Sequence, residues 1–435
     1  MSRRVTFLCI SSFLIFVNVS RSRVKTITLG CRFNFYETEI IKEIIDGIPI
    51  TDDVFVINTC AVTHEAERQS KQMVRKVIRE NTDAKVIVTG CASQTDIDYF
   101  TNLGGVFKIV PNDRKSDAQE YGELADADAS PVMPNPQDHL FADKARAFLQ
   151  IQNGCNHFCT YCIVPFTRGR SRSMPLQKII EKVEYFIAHG FREIVLSGID
   201  IMSYGMDLPE RIDLFDVISA ILNNKYASQI RIRLSSIDPA AVDEKFIKLI
   251  TSESRIMPHL HLSIQSGDNH VLETMRRRHT REHVLNICHR IRDERKDVVF
   301  GCDLIAGFPT ENDEMFENTL KLIDEAGISL IHSFPYSPRP GTVAASMVQL
   351  PRGTVLERAS RLRVKAQIVR EKLYRSLVGT MMTSGIVEKC EEDVVYGKTD
   401  TFIPFRMVSD QYKQKDIIED SRIIDFDAEA LILAD

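Results

Sequence analysis

From residue 24 onward, apolar and polar positions alternate in a pattern that predicts short buried strands separated by amphipathic helices. The segments VKTITLGC, DVFVINTC and AKVIVTGC have the length and composition of strands, and helical patterns follow the first two at 36–46 and 65–79. This βαβαβ order is typical of a parallel sheet covered by helices. Ligands bind beyond the carboxyl ends of the strands in such sheets, so we expect functional side chains where the three segments end.

A second α/β region follows a stretch at 113–145 that is rich in Asp, Ala and Pro and predicts a linker. Six strand-like segments alternate here with helical segments, and they lie at 148–152, 193–197, 230–235, 259–265, 299–306 and 329–334. Six β/α units in about 190 residues predict a complete or partial barrel with its active site at the carboxyl ends of the strands.

The balance of charge changes towards the end of the chain. Residues 352–375 form a helical pattern with eight Lys or Arg and two Glu, whereas 376–435 hold six basic and thirteen acidic residues in a β-rich pattern. The second stretch predicts a small all-β barrel. The basic helix is a candidate RNA contact, and an ordinary solvated surface is the alternative.

The composition narrows the class of protein. Of 435 residues, 44% are hydrophobic and 26% are charged, which is typical of a globular protein with room for about three domains. The formal charge of −5 excludes a histone-like polycation, so any contact with nucleic acid must come from local basic patches. Ten cysteines are too few and too widely spaced for a secreted disulfide scaffold.

Residues 1–23 carry Arg3 and Arg4 before an apolar run that ends at Val19. The outline resembles a signal peptide, but the run is shorter than the roughly 20 residues of a membrane-spanning helix and no A-x-A cleavage site follows. We interpret this hydrophobic segment as a non-essential extension or as a start codon assigned too far upstream. A membrane-directing segment is the alternative.

Two sets of cysteines carry the candidate chemistry. Each of the three N-terminal strand segments ends in a cysteine, namely Cys31, Cys60 and Cys91. Because parallel strand ends meet at one edge of a sheet, these placements favour a thiolate cluster site over three buried structural thiols.

The second set is Cys155, Cys159 and Cys162, spaced C-x3-C-x2-C after the first strand of the second region. Three thiolates leave one iron of a [4Fe–4S] cluster open for a reactant, whereas the electron-transfer version takes four. A zinc site that includes His157, or a disulfide, is the alternative.

These motifs resemble the radical S-adenosylmethionine (SAM) superfamily, and the upstream TLGC, NTC and TGC resemble its methylthiotransferase branch. The subfamily most similar is that of the tRNA N6-threonylcarbamoyladenosine methylthiotransferases, through ITLGCRFNFYETE, VINTCAVTHEAERQS, GCNHFCTYCIVPFTRGRSRS and HSFPYSPRPGTVAASM. The segment YGKTDTFIPF resembles the TRAM RNA-binding module. The resemblance covers the chain from about Val24 to its end.

The resemblance implies two [4Fe–4S] clusters and SAM as cofactors. The cluster of Cys155, Cys159 and Cys162 would bind SAM and cleave it to a 5′-deoxyadenosyl radical, and Cys31, Cys60 and Cys91 would hold an auxiliary cluster that supplies or carries sulfur. Sulfur insertion at C2 of the adenine next to the anticodon (position 37), followed by methyl transfer from a second SAM, would give the 2-methylthio product. The implied partners are the tRNA anticodon stem-loop, a flavodoxin- or ferredoxin-like electron donor and a sulfur source, with no membrane partner.

Further contacts are predicted from positions at strand ends and in basic segments. The predicted SAM contacts are Gly198, Ser235, Ser236, Gln265 and Ser266, with ordinary turn or capping roles as the alternative. The predicted RNA contacts are Arg168, Arg170 and Arg172 together with the basic helix, because the acidic tail is poorly suited to a polyanion.

Together these patterns predict an α/β protein in four parts. They are a hydrophobic extension (1–23), a Rossmann-like parallel-sheet domain with the auxiliary cluster (24–140), a partial (β/α)6 radical SAM barrel (141–375) and a TRAM-like all-β barrel (376–435). The predicted function is a cytoplasmic tRNA methylthiotransferase, since thiolate clusters need a reducing compartment. The alternatives are methylthiolation of N6-isopentenyladenosine in tRNA or of a ribosomal-protein aspartate, and a non-catalytic Fe–S RNA-binding regulator.

Overall fold

The computed structural model describes residues 14–19, 23–125 and 144–434, and these divide into two compact units. The first unit comprises the described residues up to number 125 together with Gly154–Arg170 and Ser337–Ala345, and the second comprises the remainder. The C-x3-C-x2-C loop therefore groups with the N-terminal sheet, although the boundary drawn from the sequence at 140 assigns it to the following domain. In the part of the chain described, no helix is long and apolar enough to cross a membrane.

The first unit is built on a five-stranded sheet in the order β1-β2-β3-β4-β5. The strands are β1 (Leu14–Val19), β2 (Val24–Gly30), β3 (Val54–Thr59), β4 (Lys85–Gly90) and β5 (Val106–Ile109). The helices of this unit are α1 (Arg32–Asp46), α2 (His64–Glu80), α3 (Cys91–Thr95), α4 (Ile97–Thr101) and α5 (Val164–Arg168). Strands β2 to β5 are parallel and carry apolar clusters, which confirms the predicted parallel-sheet domain.

Two segments differ from the sequence interpretation. Residues 14–19, assigned to the extension, form β1 and pair antiparallel with β2, as expected for the β-prone run LIFVNV beside an open sheet edge. The described start of the predicted linker is also ordered, since Ala118–Leu124 form a 3-10 helix with Tyr121 buried against the sheet. Residues 1–13, 20–22 and 126–143 of these two segments lie outside the described residues.

The second unit contains the six predicted parallel strands, which confirms the predicted α/β class. Its strands are β6 (Ala147–Asn153), the short antiparallel β7 (Arg172–Ser173), β8 (Glu193–Gly198), β9 (Arg231–Leu234), β10 (His259–Gln265), β11 (Val299–Ala306) and β12 (Ile328–Pro335). The helices are α6 (Leu176–Ala188), α7 (Leu214–Leu222), α8 (Glu244–Ser252), α9 (Asn269–Thr274), α10 (Arg281–Glu294), α11 (Asp313–Glu325) and α12 (Arg352–Leu377). Two isolated bridges, Ile232 to Ile256 and Ile237 to Leu262, join the β6-β8-β9 group to the β10-β11-β12 group.

The C-terminal strands form the predicted small barrel, which closes in the order β13-β14-β15-β17-β16. They are β13 (Met381–Glu391), β14 (Val394–Thr399), β15 (Pro404–Val408), β16 (Ile417–Phe426) and β17 (Leu431–Leu433). Glycines make room for a central ring, because a Cβ at Gly385 or Gly397 would lie about 2.5 Å from the Phe405 ring. Closure leaves this barrel without an open edge.

A buried charged cluster attaches this barrel to the starts of the parallel strands. The Glu193 carboxylate, fully buried at the start of β8, accepts from Arg146 Nε (2.7 Å) and Arg233 Nε (2.6 Å), with Arg231 Nη2 at 3.4 Å. The ring of Phe402, from the barrel, lies 4.8 Å from the Arg233 guanidinium. Burial alone would raise the pKa of Glu193, but the arginines outweigh it and lower the pKa to about 2.

We expect Glu193→Gln to destabilise the second unit by about 3–5 kcal/mol, because it leaves three clustered guanidinium groups around a neutral amide. The denaturant midpoint measures this loss. The matched control is Glu244→Gln, which removes an exposed partner of Arg290 and should hardly change the midpoint.

The same carboxylate predicts a pH dependence. Its pKa is lowered on folding, so its stabilisation is complete above its unfolded pKa of about 4.3 and is lost as the pH falls towards 2. The stability difference between wild type and Glu193→Gln should therefore shrink over that window. A difference that stays constant would contradict the assignment of the ionised carboxylate.

Candidate functional site

Three cysteines lie at the carboxyl ends of neighbouring parallel strands. Strands β2, β3 and β4 are adjacent, and Cys31, Cys60 and Cys91 each follow the last residue of one of them. Cys60 and Cys91 are buried, and Cys31 is half-buried. Burial raises the pKa of the Cys60 thiol, and the neighbouring Cys31 and Cys91 thiols raise it further. The structure therefore brings the thiols of Cys31, Cys60 and Cys91 together. We call them the strand-end thiols, and we call the place where they meet the strand-end site.

Glycines allow the strand ends to approach so closely. Gly30 and Gly90, directly before the first and third of these cysteines, have φ of +94° and +100°. A Cβ at Gly30 would lie 2.4 Å from Cys60 Sγ, and one at Gly90 would lie 2.3 Å from the Thr59 carbonyl oxygen. Only glycine fits both the backbone conformation and the space.

Side-chain amides and a hydroxyl hold the strand ends together. Asn34 Nδ2 donates to the backbone of β2 (2.9 Å) and to the Thr59 carbonyl oxygen of β3 (2.8 Å). Asn58 Nδ2 donates to the Asn34 carbonyl oxygen (2.9 Å). Ser70 Oγ of α2 accepts from Cys60 N (3.0 Å) and donates to Cys60 O (3.1 Å). The backbone that presents the thiols is thus fixed by buried hydrogen bonds.

A buried charge set, defined here as Glu37, Lys115 and Arg168, lies beside these strand ends. Arg168 donates to both carboxylate oxygens of Glu37 (2.8 and 3.2 Å) and to Asn34 Oδ1 (2.7 Å). Lys115 Nζ pairs with the same carboxylate. Burial would raise the pKa of Glu37, but Arg168 and Lys115 outweigh it and lower the pKa. The carboxylate is therefore ionised and shared by two cations.

The C-x3-C-x2-C motif forms the irregular loop that precedes α5. Its three half-buried cysteines are Cys155, Cys159 and Cys162, and none of them is in a disulfide. Gly154, at φ +74°, starts the loop, and a Cβ there would lie 2.0 Å from the Arg170 carbonyl oxygen. Cys155 N donates to Gly169 O (3.1 Å), so the two ends of the loop are joined. A glycine again precedes a cysteine where two backbones meet closely.

The segment Ser337–Ala345, which contains the SPRPGT motif, packs on this loop and on α2. Ala344 N donates to Thr160 O (2.8 Å), between the second and third cysteines of the loop. Arg339 is buried and pairs with Glu67 of α2. These contacts give the loop a second attachment within the first unit.

In the second unit, the five predicted SAM-contacting residues lie at or just beyond strand ends. They are Gly198 of β8, Ser235 and Ser236 after β9, and Gln265 and Ser266 at the end of β10. Gly198 has no room for a Cβ, which would lie 2.5 Å from a neighbouring side chain. The buried Ser235 Oγ has no hydrogen-bond partner among the described residues. Gln265 has φ +78°, and the Ser266 hydroxyl lies 3.4 Å from Thr319 Oγ1.

The three arginines predicted to contact RNA have different surroundings. Arg170 and Arg172 are exposed, and the Arg170 guanidinium lies 4.6 Å from the Phe158 ring centroid. Arg168 is buried against Glu37, which lies 131 residues away in the sequence. Its placement does not agree with the expected RNA contact, because a side chain enclosed by protein cannot reach a phosphate.

Sequence reasoning missed three residues of the strand-end site: Glu37, Lys115 and Asn112. Asn112 Nδ2 lies 3.6 Å from Cys91 Sγ and donates to the Thr167 carbonyl oxygen (2.7 Å). No motif spacing marks these positions. The available signal for Asn112 and Lys115 was that they follow β5, whose carboxyl end meets the same sheet edge.

Known proteins resemble this chain over most of its length. Residues 149–323 match the radical SAM superfamily, and 23–110 match the family described as "Uncharacterized protein family UPF0004". The threonylcarbamoyladenosine tRNA methylthiotransferase MtaB of Rickettsia prowazekii is 42% identical over 393 residues, which cover 88% of this chain and 91% of that protein. This chain belongs to the radical SAM tRNA methylthiotransferase family.

Two further proteins extend the comparison. The tRNA-2-methylthio-N(6)-dimethylallyladenosine synthase of Staphylococcus aureus is 34% identical over 401 residues, which cover 86% of this methylthiotransferase and 77% of that protein. The solved radical SAM methyltransferase TsrM of Kitasatospora setae aligns with a TM-score of 0.49 and 14% identity, covering 71% of this chain and 67% of that one.

Membership confirms the predicted enzyme class and implies SAM and a [4Fe–4S] cluster as cofactors. The donor set fits such a cluster, since Cys155, Cys159 and Cys162 place three thiols outside any disulfide on one loop whose two ends are joined. The converging thiols of the strand ends offer a second set of the same chemistry.

We expect Gly90→Ala to prevent metal binding at the strand-end thiols, because the new Cβ would push β3 and β4 apart. Iron and sulfide per chain, measured after reconstitution of protein that also carries Cys155→Ala, Cys159→Ala and Cys162→Ala, report on this site alone. Gly104→Ala is the matched control, since a Cβ there meets open space. Wild-type iron content in Gly90→Ala would show that the strand ends tolerate a side chain.

Proposed function

We propose that this enzyme adds a methylthio group at C2 of N6-threonylcarbamoyladenosine next to the tRNA anticodon. The observation that carries the proposal is that one compact unit contains two sets of three thiols, one at strand ends and one on a loop. The name of the Rickettsia prowazekii relative and the sequence motifs support the choice of nucleoside.

Each set of thiols has a separate role. Cys155, Cys159 and Cys162 hold the cluster that binds SAM, and Cys31, Cys60 and Cys91 hold an auxiliary [4Fe–4S] cluster. When bound, the first cluster supplies the electron that cleaves SAM, and the second supplies or carries the sulfur. The buried amides of Asn34 and Asn58 keep the strand ends fixed for this second role.

We assign the remaining SAM contacts to strand-end residues of the second unit. The Ser235 hydroxyl, which has no hydrogen-bond partner among the described residues, donates to or accepts from SAM, and Gly198 contacts SAM at the end of β8. Ser236, Gln265 and Ser266 complete the SAM contacts at the same strand ends.

The anticodon stem-loop of tRNA meets the exposed Arg170 and Arg172 and the exposed basic residues of α12. A flavodoxin- or ferredoxin-like protein supplies electrons, and an external source restores the sulfur. The enzyme works in the cytoplasm, where thiolates stay reduced.

A second candidate substrate is N6-isopentenyladenosine in tRNA. The Staphylococcus aureus relative carries the name of the dimethylallyladenosine enzyme and is 34% identical, so the same scaffold serves that nucleoside in another family member. Both candidates share the chemistry of the thiols and differ in the N6 substituent.

The decisive measurement is mass spectrometry of tRNA nucleosides from cells with and without this gene. We expect loss of the 2-methylthio derivative of threonylcarbamoyladenosine and accumulation of threonylcarbamoyladenosine, its precursor without the methylthio group. Loss of the methylthio group from isopentenyladenosine instead would overturn the choice of nucleoside and keep the chemistry. No change in either nucleoside would contradict both tRNA substrates. It would favour a ribosomal-protein aspartate as the substrate, or a role as an RNA-binding regulator.

Single substitutions distinguish the roles of the two sets of thiols. Cys155→Ala should abolish cleavage of SAM to 5′-deoxyadenosine, because it removes a ligand of the SAM-binding cluster. Cys31→Ala should retain that cleavage and lose the methylthio product, measured by chromatography with reduced protein and substrate tRNA. Methylthio product from the Cys31→Ala variant would refute the auxiliary role of the strand-end thiols.

A further inference from the structure

The buried charge set of Glu37, Lys115 and Arg168 combines one carboxylate with two basic side chains. Burial lowers the pKa of Lys115, and the Glu37 carboxylate opposes that effect. With both bases protonated, the set holds an excess of positive charge. All three side chains are almost fully buried, with exposed fractions of 2–3%. Charges in such a site are weakly screened, and their effect on neighbouring groups is large compared with that of surface charges. The excess positive charge therefore has its largest electrostatic effect on the groups next to the buried charge set.

What lies beside it is the strand-end site. Arg168 bonds Asn34, whose amide spans the ends of β2 and β3, the strands that lead into Cys31 and Cys60. Lys115 Nζ lies 3.4 Å from Asn58 Oδ1, two residues before Cys60. Each cation is thus one side chain away from the backbone that presents the thiols.

The third thiol, that of Cys91, is contacted by Asn112. Asn112 Nδ2 lies 3.6 Å from Cys91 Sγ, and the same amide donates to the carbonyl oxygen of Thr167, the residue before Arg168. Asn112 therefore joins Cys91 to the chain segment that carries Arg168, and Lys115 lies three residues after Asn112.

We propose that Arg168 and Lys115 set the reduction potential of the cluster held by Cys31, Cys60 and Cys91 by supplying buried positive charge beside it. The inference rests on the proposed auxiliary cluster. Three thiolates bring more negative charge than an oxidised [4Fe–4S] core neutralises, and one-electron reduction adds to it. Nearby cations stabilise the reduced form, so they raise the potential. The electron comes from the external donor, and no bond is made or broken in this step.

The chain offers variants that remove one cation without leaving Glu37 unpaired. Arg168→Met keeps the Lys115 partner, and Lys115→Met keeps the bidentate Arg168 partner. Arg168→Lys retains the charge but not the planar fork. The matched control is Arg114→Met. Arg114 precedes Lys115 in the sequence, its side chain is 66% exposed, and it pairs with Glu120.

The test is a dithionite titration followed by electron paramagnetic resonance, on full-length protein that carries Cys155→Ala, Cys159→Ala and Cys162→Ala. Only the strand-end cluster then contributes a signal. We expect Arg168→Met and Lys115→Met to shift the midpoint to lower potential, Arg168→Lys to restore most of the shift, and Arg114→Met to leave it unchanged.

Two outcomes overturn the inference and are distinct. If the Met variants bind the cluster at the wild-type midpoint, the charges do not tune it and only this inference fails. If the background protein with native Glu37, Lys115 and Arg168 assembles no cluster, the auxiliary site of the proposed function fails as well. Should one Met variant not fold, the other and Arg168→Lys still decide the sign of the effect.

Discussion

The ionised carboxylate of Glu37 is the contact on which the arrangement of both cysteine sets depends. A buried carboxylate is costly to leave unpaired, so it retains the two cations that reach it from distant parts of the chain. Lys115 follows the last strand of the N-terminal sheet, and Arg168 ends the helix that follows the C-x3-C-x2-C loop. One carboxylate therefore fastens that loop to the helix that begins just after Cys31. This explains why the loop belongs to the first compact unit although its neighbours in sequence belong to the second.

Three thiols lie close together at the strand ends, where their thiolate forms would repel one another, and a metal cluster would supply the positive charge that offsets this repulsion. The Cys60 thiol holds its proton tightly, because burial and the neighbouring thiols raise its pKa and Arg168 opposes them only in part. Thiolate ligation releases such protons, and a cluster core then carries the positive charge that the thiolates lack. The glycines before Cys31 and Cys91 bring the thiols close enough for one core to serve all three. The glycine backbone at Gly30 and Gly90 is thus needed both for close packing of the strands and for binding a cluster at the three thiols.

Local sequence patterns predicted what is local in the structure. The six strands of the second unit and the three strands before Cys31, Cys60 and Cys91 were visible because each is an apolar run bounded by turn residues. The burial of Arg168 could not be predicted, because its partner lies 131 residues away and a run such as RGRSR gives no sign of a buried carboxylate. Residues 14–19 were missed as β1 because an edge strand needs only a free neighbour with which to pair, and the pattern of the run itself resembles a signal sequence. Pairing between distant segments leaves no periodicity to detect.

The charge available to RNA depends on burial as well as on composition. On α12, Arg358 is 5% exposed and pairs with the fully buried Glu311, so its charge is committed to the protein. Arg361 and Arg375 also have carboxylate partners, but they are 44% and 71% exposed. Exposed pairs contribute little to stability, so these arginines can exchange a carboxylate for a phosphate at small cost. Most of the basic character of α12 therefore remains usable by a polyanion, whereas that of Arg168 does not, and counting basic residues along the sequence treats the two cases alike.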